Sequence, residues 1–386
     1  MKIYERETEI KKMQTELVAT CLFGLEKILG EEIDALGCKR LETMDGRITF
    51  AGELSDIPRA NLFLRTAERI YIKLGSFSAT SFEALFEGTR NLPFENYIGV
   101  KDAFPVKGHC IKSTLYSVPD CQSIIKKAVV ERLRQKYGVS WFEETETKYQ
   151  IEFFLFKDQV TLMIDTSGAP LHKRGYRPVA GDAPLRETLG AGIVSITRPR
   201  ESVLLWDPFC GSGTMLIEAA MMMKNIAPGL GRHFSSESFS WLPNCHWVEA
   251  REEARDRRVL KTEFEAWGSD LDEKVLSYAQ ASAERAGVSD CIRFFHADAR
   301  TIQKPDRRGT LVCNPPYGER MMTVEEAERL YVQIGKAFHN FDPWQIYVLT
   351  SCERFEKLFG RRADKVRKLY NGMLPCNLYQ YFKPRK

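Results

Sequence analysis

Residues 203–220, "VLLWDPFCGSGTMLIEAA", decide the fold. An apolar run ends at Asp207, a tight turn carries Gly211 and Gly213, and apolar residues at helical spacing resume from Thr214. This reads as a buried strand, a glycine turn and a core-facing helix. Glycines after a first strand let backbone approach a ligand where a side chain would clash. Leu216 stands where a dinucleotide-binding turn places its third glycine, which counts against a pyrophosphate cradle.

Downstream the chain alternates strand and helix. Strands are expected at 203–207, 265–270, 292–297, 309–313 and 345–350, and helices at 213–224, 272–286, 324–340 and 353–359. That rhythm predicts a mostly parallel sheet covered on both faces. Asn371-Gly372, between two strand-like runs, predicts an antiparallel hairpin closing one edge. Three expected strands end in an aspartate: Asp207, Asp270 and Asp298. A lone aspartate there is commonly a helix N-cap. Three in succession beside a glycine turn suit a bound adenosine, with Asp270 accepting the ribose hydroxyls and Asp298 the adenine amine. Asp270 lies 57 residues past Gly213, rather than the roughly 20 of a dinucleotide fold. The excess, "NIAPGLGRHFSSESFSWLPNCHWVEAREEARDRR", reads as an insertion. The fourth strand ends in "NPPYGER", residues 314–320.

Upstream, residues 16–165 mix strands and helices with two hairpin turns, at Asp45-Gly46 and Lys157-Asp158. They predict an α+β region with antiparallel pairing, joined to the remainder by a Gly/Pro-punctuated connector at 166–200. Composition sets outer bounds. At 44% hydrophobic and 28% charged the chain is an ordinary globular sequence, long enough at 386 residues for two or three domains. No apolar stretch approaches the roughly 18–20 residues of a membrane span. The charged N-terminus carries no signal-like apolar run, so a cytoplasmic location is expected. Ten scattered cysteines without a Cys-x-x-Cys pair are expected as reduced thiols, with no metal site. The net charge of +4 permits a nucleic-acid partner without requiring one. Basic clusters at 171–178, 255–258, 360–368 and the C-terminus tilt that balance toward a polyanion.

"DPFCGSGT", "GSDLD", "HADA" and "NPPYG", in that order, resemble the motifs of class I S-adenosylmethionine-dependent methyltransferases. "NPPYG" is similar to the motif of the branch that methylates exocyclic base amines. Residues from about 70 to 165, with "LHKRGYRP" and "PLRETL", resemble the THUMP-containing bacterial RNA methyltransferases. The resemblance implies a ferredoxin-like domain at 1–68, a THUMP RNA-binding domain at 69–166 and a Rossmann-like catalytic domain at 167–386. It implies a seven-stranded catalytic sheet, S-adenosylmethionine as cofactor, and a structured RNA as partner with no membrane or metal. Cofactor contacts are implied at Asp207, Pro208, Phe209, Gly211, Gly213, Thr214, Asp270, Leu271, Asp298, Ala299 and Asn314. The connector resembles a segment that caps the cofactor pocket. It adds Lys173, Arg174, Arg186 and Thr188, the three basic residues as RNA contacts.

The residues suit amine methylation. An exocyclic base amine is a poor nucleophile because its lone pair is delocalised into the ring. The Asn314 amide oxygen and the Pro315 carbonyl can accept its N–H groups, and Pro315 and Pro316 cannot extend the strand ladder. Tyr317 offers a ring for an extruded base. Glu319 and Arg320 read as a helix start and a surface pair. Catalysis would rest on alignment and electrostatic support, without a dedicated base. Guanine N2 of 23S rRNA follows from the resemblance. An N6-adenine DNA methyltransferase, a tRNA guanine-N2 enzyme and an inactive RNA-binding or ribosome-assembly protein stay open. The two-part organisation predicts that residues 1–165 carry RNA affinity and are separable from cofactor binding.

Overall fold

The computed structural model describes residues 15–177, 185–317 and 322–382. Its first half is built on strands β1 (Thr15–Cys21), β2 (Lys39–Met44), β3 (Arg47–Gly52), β4 (Ala67–Ser78), β5 (Val106–Ile111), β6 (Ile151–Phe156) and β7 (Gln159–Asp165). They form one sheet in the order β2-β3-β1-β4-β7-β6-β5. Helices α1 (Glu26–Ala35), α2 (Asp56–Phe63), α3 (Phe82–Arg90) and α4 (Val118–Tyr137) accompany it. α1 buries Ile28, Leu29 and Ile33. The Lys157–Asp158 turn has φ of 50° and 61° at its two residues, the twist that a two-residue hairpin prefers. Pairing is antiparallel with one departure from expectation: β5 and β6 run parallel. The 20-residue α4 between them makes a crossover, which returns the chain in the same direction. β4 serves both ends of the sheet, pairing with β1 through Tyr71 and Ile72 and with β7 as far as Ser78.

The second half follows the expected alternation closely. Its strands are β8 (Leu204–Asp207), β9 (Ala266–Asp270), β10 (Ile292–His296), β11 (Gly309–Cys313), β12 (Gln345–Thr350), β13 (Lys365–Asn371) and β14 (Leu374–Tyr381). They order as β10-β9-β8-β11-β12-β14-β13. The first five are parallel, and β14 and β13 close the edge antiparallel. Helices α5 (Glu187–Thr197), α6 (Thr214–Met223), α7 (Asn244–Asp256), α8 (Glu273–Arg285), α9 (Val324–His339) and α10 (Phe355–Phe359) complete this half. The edge turn sits one residue later than expected. Asn371 still pairs with Leu374, so Gly372-Met373 are the turn, with Gly372 at φ 67°. Chain order reverses between β8 and β11, the switch point where such sheets bind ligands beyond their carboxyl ends.

The insertion is a structural bridge. Gly229 N–H donates to the Leu62 carbonyl at 3.0 Å, and a Cβ on Gly229 would lie 2.7 Å from the Asn61 carbonyl oxygen. Ser236 donates to the Thr166 carbonyl through both its N–H and its Oγ. Phe239 stacks on Tyr149 with centroids 4.4 Å apart, and Arg59 of α2 forks onto Glu253 of α7. One hydrophobic cluster includes Leu17, Phe153, Leu189, Leu216 and Leu378, drawn from both halves. Removing residues 1–165 would expose part of this shared core. Among the described residues, no helix is long and apolar enough to cross a membrane and no group of three His, Cys, Asp or Glu could hold a metal.

Phe239→Ala should destabilise the chain by about 3–5 kcal/mol in urea denaturation, the range for a large aromatic removed from a packed site. Burial, then the charge of Asp165, pushes the Glu152 carboxyl on β6 from 4.5 up to about 7. The folded state therefore holds this proton more tightly than the unfolded chain. Its stabilising contribution is complete below about pH 4.5 and lost as pH rises through 7. Glu152→Gln should flatten the dependence of Tm on pH across that window and raise Tm at pH 8.

Candidate active site

Every strand-end residue singled out in the sequence converges on the carboxyl edge of the second sheet. Asp207 closes β8 and is 1% exposed. Its Oδ1 accepts the Phe209 N–H at 3.0 Å, turning the chain back through buried Pro208. Burial pushes its carboxyl well above the usual range, and Asp270 nearby adds to the shift. Gly211 and Gly213 have φ of 49° and 76°, left-handed values that favour glycine. A Cβ on Gly213 would meet Phe294 at 3.0 Å and Ala279 at 3.2 Å. α6 then opens at Thr214, which is buried.

The other two aspartates are not helix caps. Asp270 Oδ2 accepts the Gly211 N–H at 3.0 Å, so the carboxylate braces the glycine loop from the neighbouring strand. The cap of α8 is Asp272, which accepts from Lys274 and Val275. Leu271 between them is 55% exposed. Asp298 is gripped by Arg300, whose Nε lies 2.9 Å from both carboxylate oxygens and whose Nη2 lies 2.6 Å from Oδ2. That contact holds the Asp298 carboxyl below its ordinary range. Ala299 beside it is buried.

Asn314 follows the last residue of β11. The β8–β11 register sets Leu311 against Trp206, so Asn314 stands two residues, about 7 Å, beyond the level of Asp207. Its Oδ1 is buried and has no hydrogen-bond partner among the described residues. Such an acceptor is costly to bury empty, by about 1–3 kcal/mol. Pro315 is buried, and the Pro316 carbonyl accepts the Tyr331 hydroxyl at 2.8 Å. Tyr331, fully buried on α9, also meets Thr350 Oγ1 at 3.0 Å. The Tyr317 hydroxyl accepts from the Asn371 amide at 2.8 Å. Burial raises the Cys210 and Cys313 thiols well above their usual range, so neither is a ready thiolate nucleophile. Glu319 and Arg320 lie outside the described residues.

The connector residues divide. Lys173 is exposed. Arg174 is 4% exposed, and its guanidinium is spent on the carbonyls of Leu171 and Arg65 and on Glu218. The expectation that Arg174 contacts RNA is corrected: it is an internal strut. Arg186 pairs with Glu68 at 3.1 Å, and buried Thr188 donates to the same carboxylate. Burial would raise Glu68, but hydrogen bonds from His172 and Thr188 outweigh it and hold the carboxyl down. Reading by motif missed Arg177, which reaches Thr214 Oγ1 at 2.7 Å and Glu187 at 3.1 Å. It also missed Arg300, Tyr331, Thr350 and Asn371. Only Arg177 and Arg300 sit beside a motif; the others come from distant elements.

Residues 174–380 match the family model described as "RMKL-like, methyltransferase domain". The chain belongs to this RMKL-like methyltransferase family. Residues 16–71 match the RlmL ferredoxin-like domain and residues 79–165 the THUMP domain. Among relatives, YpsC of Bacillus subtilis (strain 168), provisionally named an RNA methyltransferase, is 42% identical over 95% of each chain. The ribosomal RNA large subunit methyltransferase K/L of Psychromonas ingrahamii is 34% identical over 93% of this chain, which spans only 49% of that longer protein. Two crystal structures are similarly close. One, from Listeria monocytogenes, is provisionally named an N6-adenine-specific DNA methylase, at 44% identity and TM-score 0.91 over 98% of each chain. The other, named SMU.472, was solved with S-adenosylhomocysteine, at 37% identity and TM-score 0.90, over 97% of this chain and all of that one. S-adenosylmethionine is thus the cofactor of this RMKL-like chain. The glycine turn, with left-handed φ at Gly211 and Gly213 and close packing that leaves no room for a side chain at Gly213, fits such a cofactor.

Gly213→Val would drive a branched side chain into Phe294 and Ala279; S-adenosylmethionine affinity by calorimetry should fall at least tenfold. Tyr331→Phe should cost about 1 kcal/mol of stability and lower kcat more than it raises KM for cofactor.

Proposed function

We propose that this chain methylates an exocyclic base amine in structured RNA, with guanine N2 of 23S rRNA as the acceptor. The observation that carries the reading is the buried, unpartnered Asn314 Oδ1, an acceptor with no internal donor at the switch point of a methyltransferase sheet. Asp207, Pro208, Phe209, Gly211, Gly213, Thr214, Asp270, Leu271, Asp298, Ala299 and Asn314 are the residues we assign to hold S-adenosylmethionine. When bound, the cofactor supplies an electrophilic methyl group on a sulfonium sulfur. Asn314 Oδ1 accepts one amine N–H, the Pro315 carbonyl takes the other, and the nitrogen lone pair is left facing the methyl. Tyr317, its hydroxyl held by Asn371, presents a ring whose orientation is set before the base arrives. The amine proton becomes acidic once the nitrogen carries the methyl, so solvent can remove it.

RNA as substrate is supported by the matched THUMP domain and by the names of the YpsC and K/L relatives. We take 1–68, 69–166 and 167–386 as the ferredoxin-like, THUMP and catalytic units, working on RNA in the cytoplasm. Lys173 and Arg186 remain candidate RNA contacts. A second reading, N6-adenine methylation of DNA, is favoured by the name of the Listeria neighbour; Asn314 would serve either amine.

Purified protein incubated separately with 23S rRNA, tRNA and duplex DNA and labelled cofactor decides the substrate. Nucleoside mass spectrometry should find N2-methylguanosine in rRNA; N6-methyladenine in DNA would overturn the proposal. Asn314→Ala should lower methyl transfer about 100-fold or more while cofactor affinity stays within about threefold. Equal loss of both would make Asn314 a structural residue.

A further inference from the structure

A cleft of about 640 Å³ lies at the opposite end of the catalytic sheet from Asn314. It is lined by residues at the starts of β11, β12 and β13 and the end of β14, with Lys27 and Glu31 of α1 on its far wall. The five residues of β11 separate it from the methyl-transfer end by about 16 Å. It therefore belongs neither to the cofactor loop nor to the amine clamp.

Its charge is one-sided. Arg198, Arg200, Arg308, Lys365 and Arg367 line it with Lys27, against the single carboxylate of Glu31. Lys27 faces Glu31 at 3.8 Å. The other five make no ion pair among the described residues. Elsewhere this chain routinely pairs its arginines, as Arg59 with Glu253, Arg132 with Glu95 and Arg300 with Asp298. Gathering unpaired cations in one concavity is destabilising by itself, because like charges repel and the walls focus their field. An independent observation points the same way. Gln380, 4% exposed, lines the cleft, and its Nε2 is buried with no acceptor among the described residues. Cations and an unfilled amide donor together ask for an acceptor-only ligand of high negative charge.

Trp344 and Phe382 add aromatic surface to this largely polar lining. Trp344 packs so closely that a Cβ on Gly309 would lie 2.3 Å from its ring, and its Nε1 donates to the Arg307 carbonyl at 2.8 Å. Phe382 at the rim is 40% exposed. Guanidinium forks above such a surface match phosphate oxygens geometrically. An exposed ring adds a face for a base. We propose that this cleft is an anion site, binding a phosphate-bearing ligand of multiple charge, either a phosphodiester segment of RNA or a free polyphosphate. It does not depend on which base, or which nucleic acid, is methylated.

Isothermal titration of the full chain with sodium tripolyphosphate and, separately, with a 12-nucleotide single-stranded RNA tests it. Arg308→Gln/Lys365→Gln alters two exposed side chains, and Gln380→Met removes the buried donor at similar volume. Tripolyphosphate should bind the wild type saturably and at least tenfold more weakly to the double variant, with S-adenosylmethionine affinity unchanged and Tm the same or higher. RNA affinity and its salt slope falling in the double variant would assign the site to a phosphodiester backbone, whether or not tripolyphosphate binds. Lost tripolyphosphate binding with unchanged RNA affinity would assign it to a free polyphosphate. Tripolyphosphate and RNA affinities both the same in the variant as in the wild type would overturn the inference. If Gln380→Met lowers Tm, the double variant alone decides.

Discussion

Glu218 is the buried charge on which the two halves of the molecule turn. It sits on α6, the helix that the cofactor loop opens, and is fully buried. Tyr176 donates to its Oε1 at 3.1 Å and Arg174 lies against it at 3.4 Å. Arg174 in turn holds carbonyls of Leu171 and Arg65, and Arg65 reaches the Ile226 carbonyl at 2.7 Å. A buried pair of this kind adds little net stability against an apolar replacement, yet breaking it from one side costs about 3–5 kcal/mol. Its value is positional. One residue beyond Tyr176, Arg177 reaches Thr214 and Glu187, so the connector is registered on the cofactor helix by charges that water cannot screen.

The strand end at Asn314 is held in the same spirit from the other side. Asn314 cannot be oriented by its own strand, which ends at Cys313. Tyr331 of α9 ties the Pro316 carbonyl to Thr350 at the end of β12, and Asn371 of the edge hairpin ties down Tyr317. α9, itself anchored on β12, and the edge hairpin therefore fix Pro316 and Tyr317, the two residues that follow Asn314-Pro315. Oriented groups of this kind assist a reaction because little reorganisation is left for the moment of transfer.

Much of this was legible in the sequence, for identifiable reasons. The five parallel strands of the catalytic sheet are short runs, and β8, β9 and β11 stop at or before an aspartate or asparagine; the observed ends of all five agree with the expected ones to within a residue or two. Local chemistry governs such boundaries. What stayed illegible depends on pairs far apart in the chain. Arg174 looked like a surface cation because Glu218 lies 44 residues on, and a basic stretch reads the same whether solvated or buried beside an acid. Tyr331 and Thr350 carry no motif, and Asn371 was legible only as a turn residue; the packing of α9, β12 and the hairpin around the strand end selects them. Parallel pairing of β5 with β6 follows from the crossover through α4, a topological consequence that the expectation of antiparallel pairing did not include.

The bridge formed by residues 225–258 also constrains the order of events during synthesis. Tyr149, Thr166 and the Leu62 carbonyl belong to the part of the chain made first, and their partners Phe239, Ser236 and Gly229 follow some 70 to 167 residues later. At roughly 5–20 residues per second, these N-terminal groups wait for seconds before their partners are made. The ferredoxin-like and THUMP folds can form early as secondary structure. Their final packing, and with it the placement of any bound RNA relative to the methyl donor, is completed only when the catalytic half arrives.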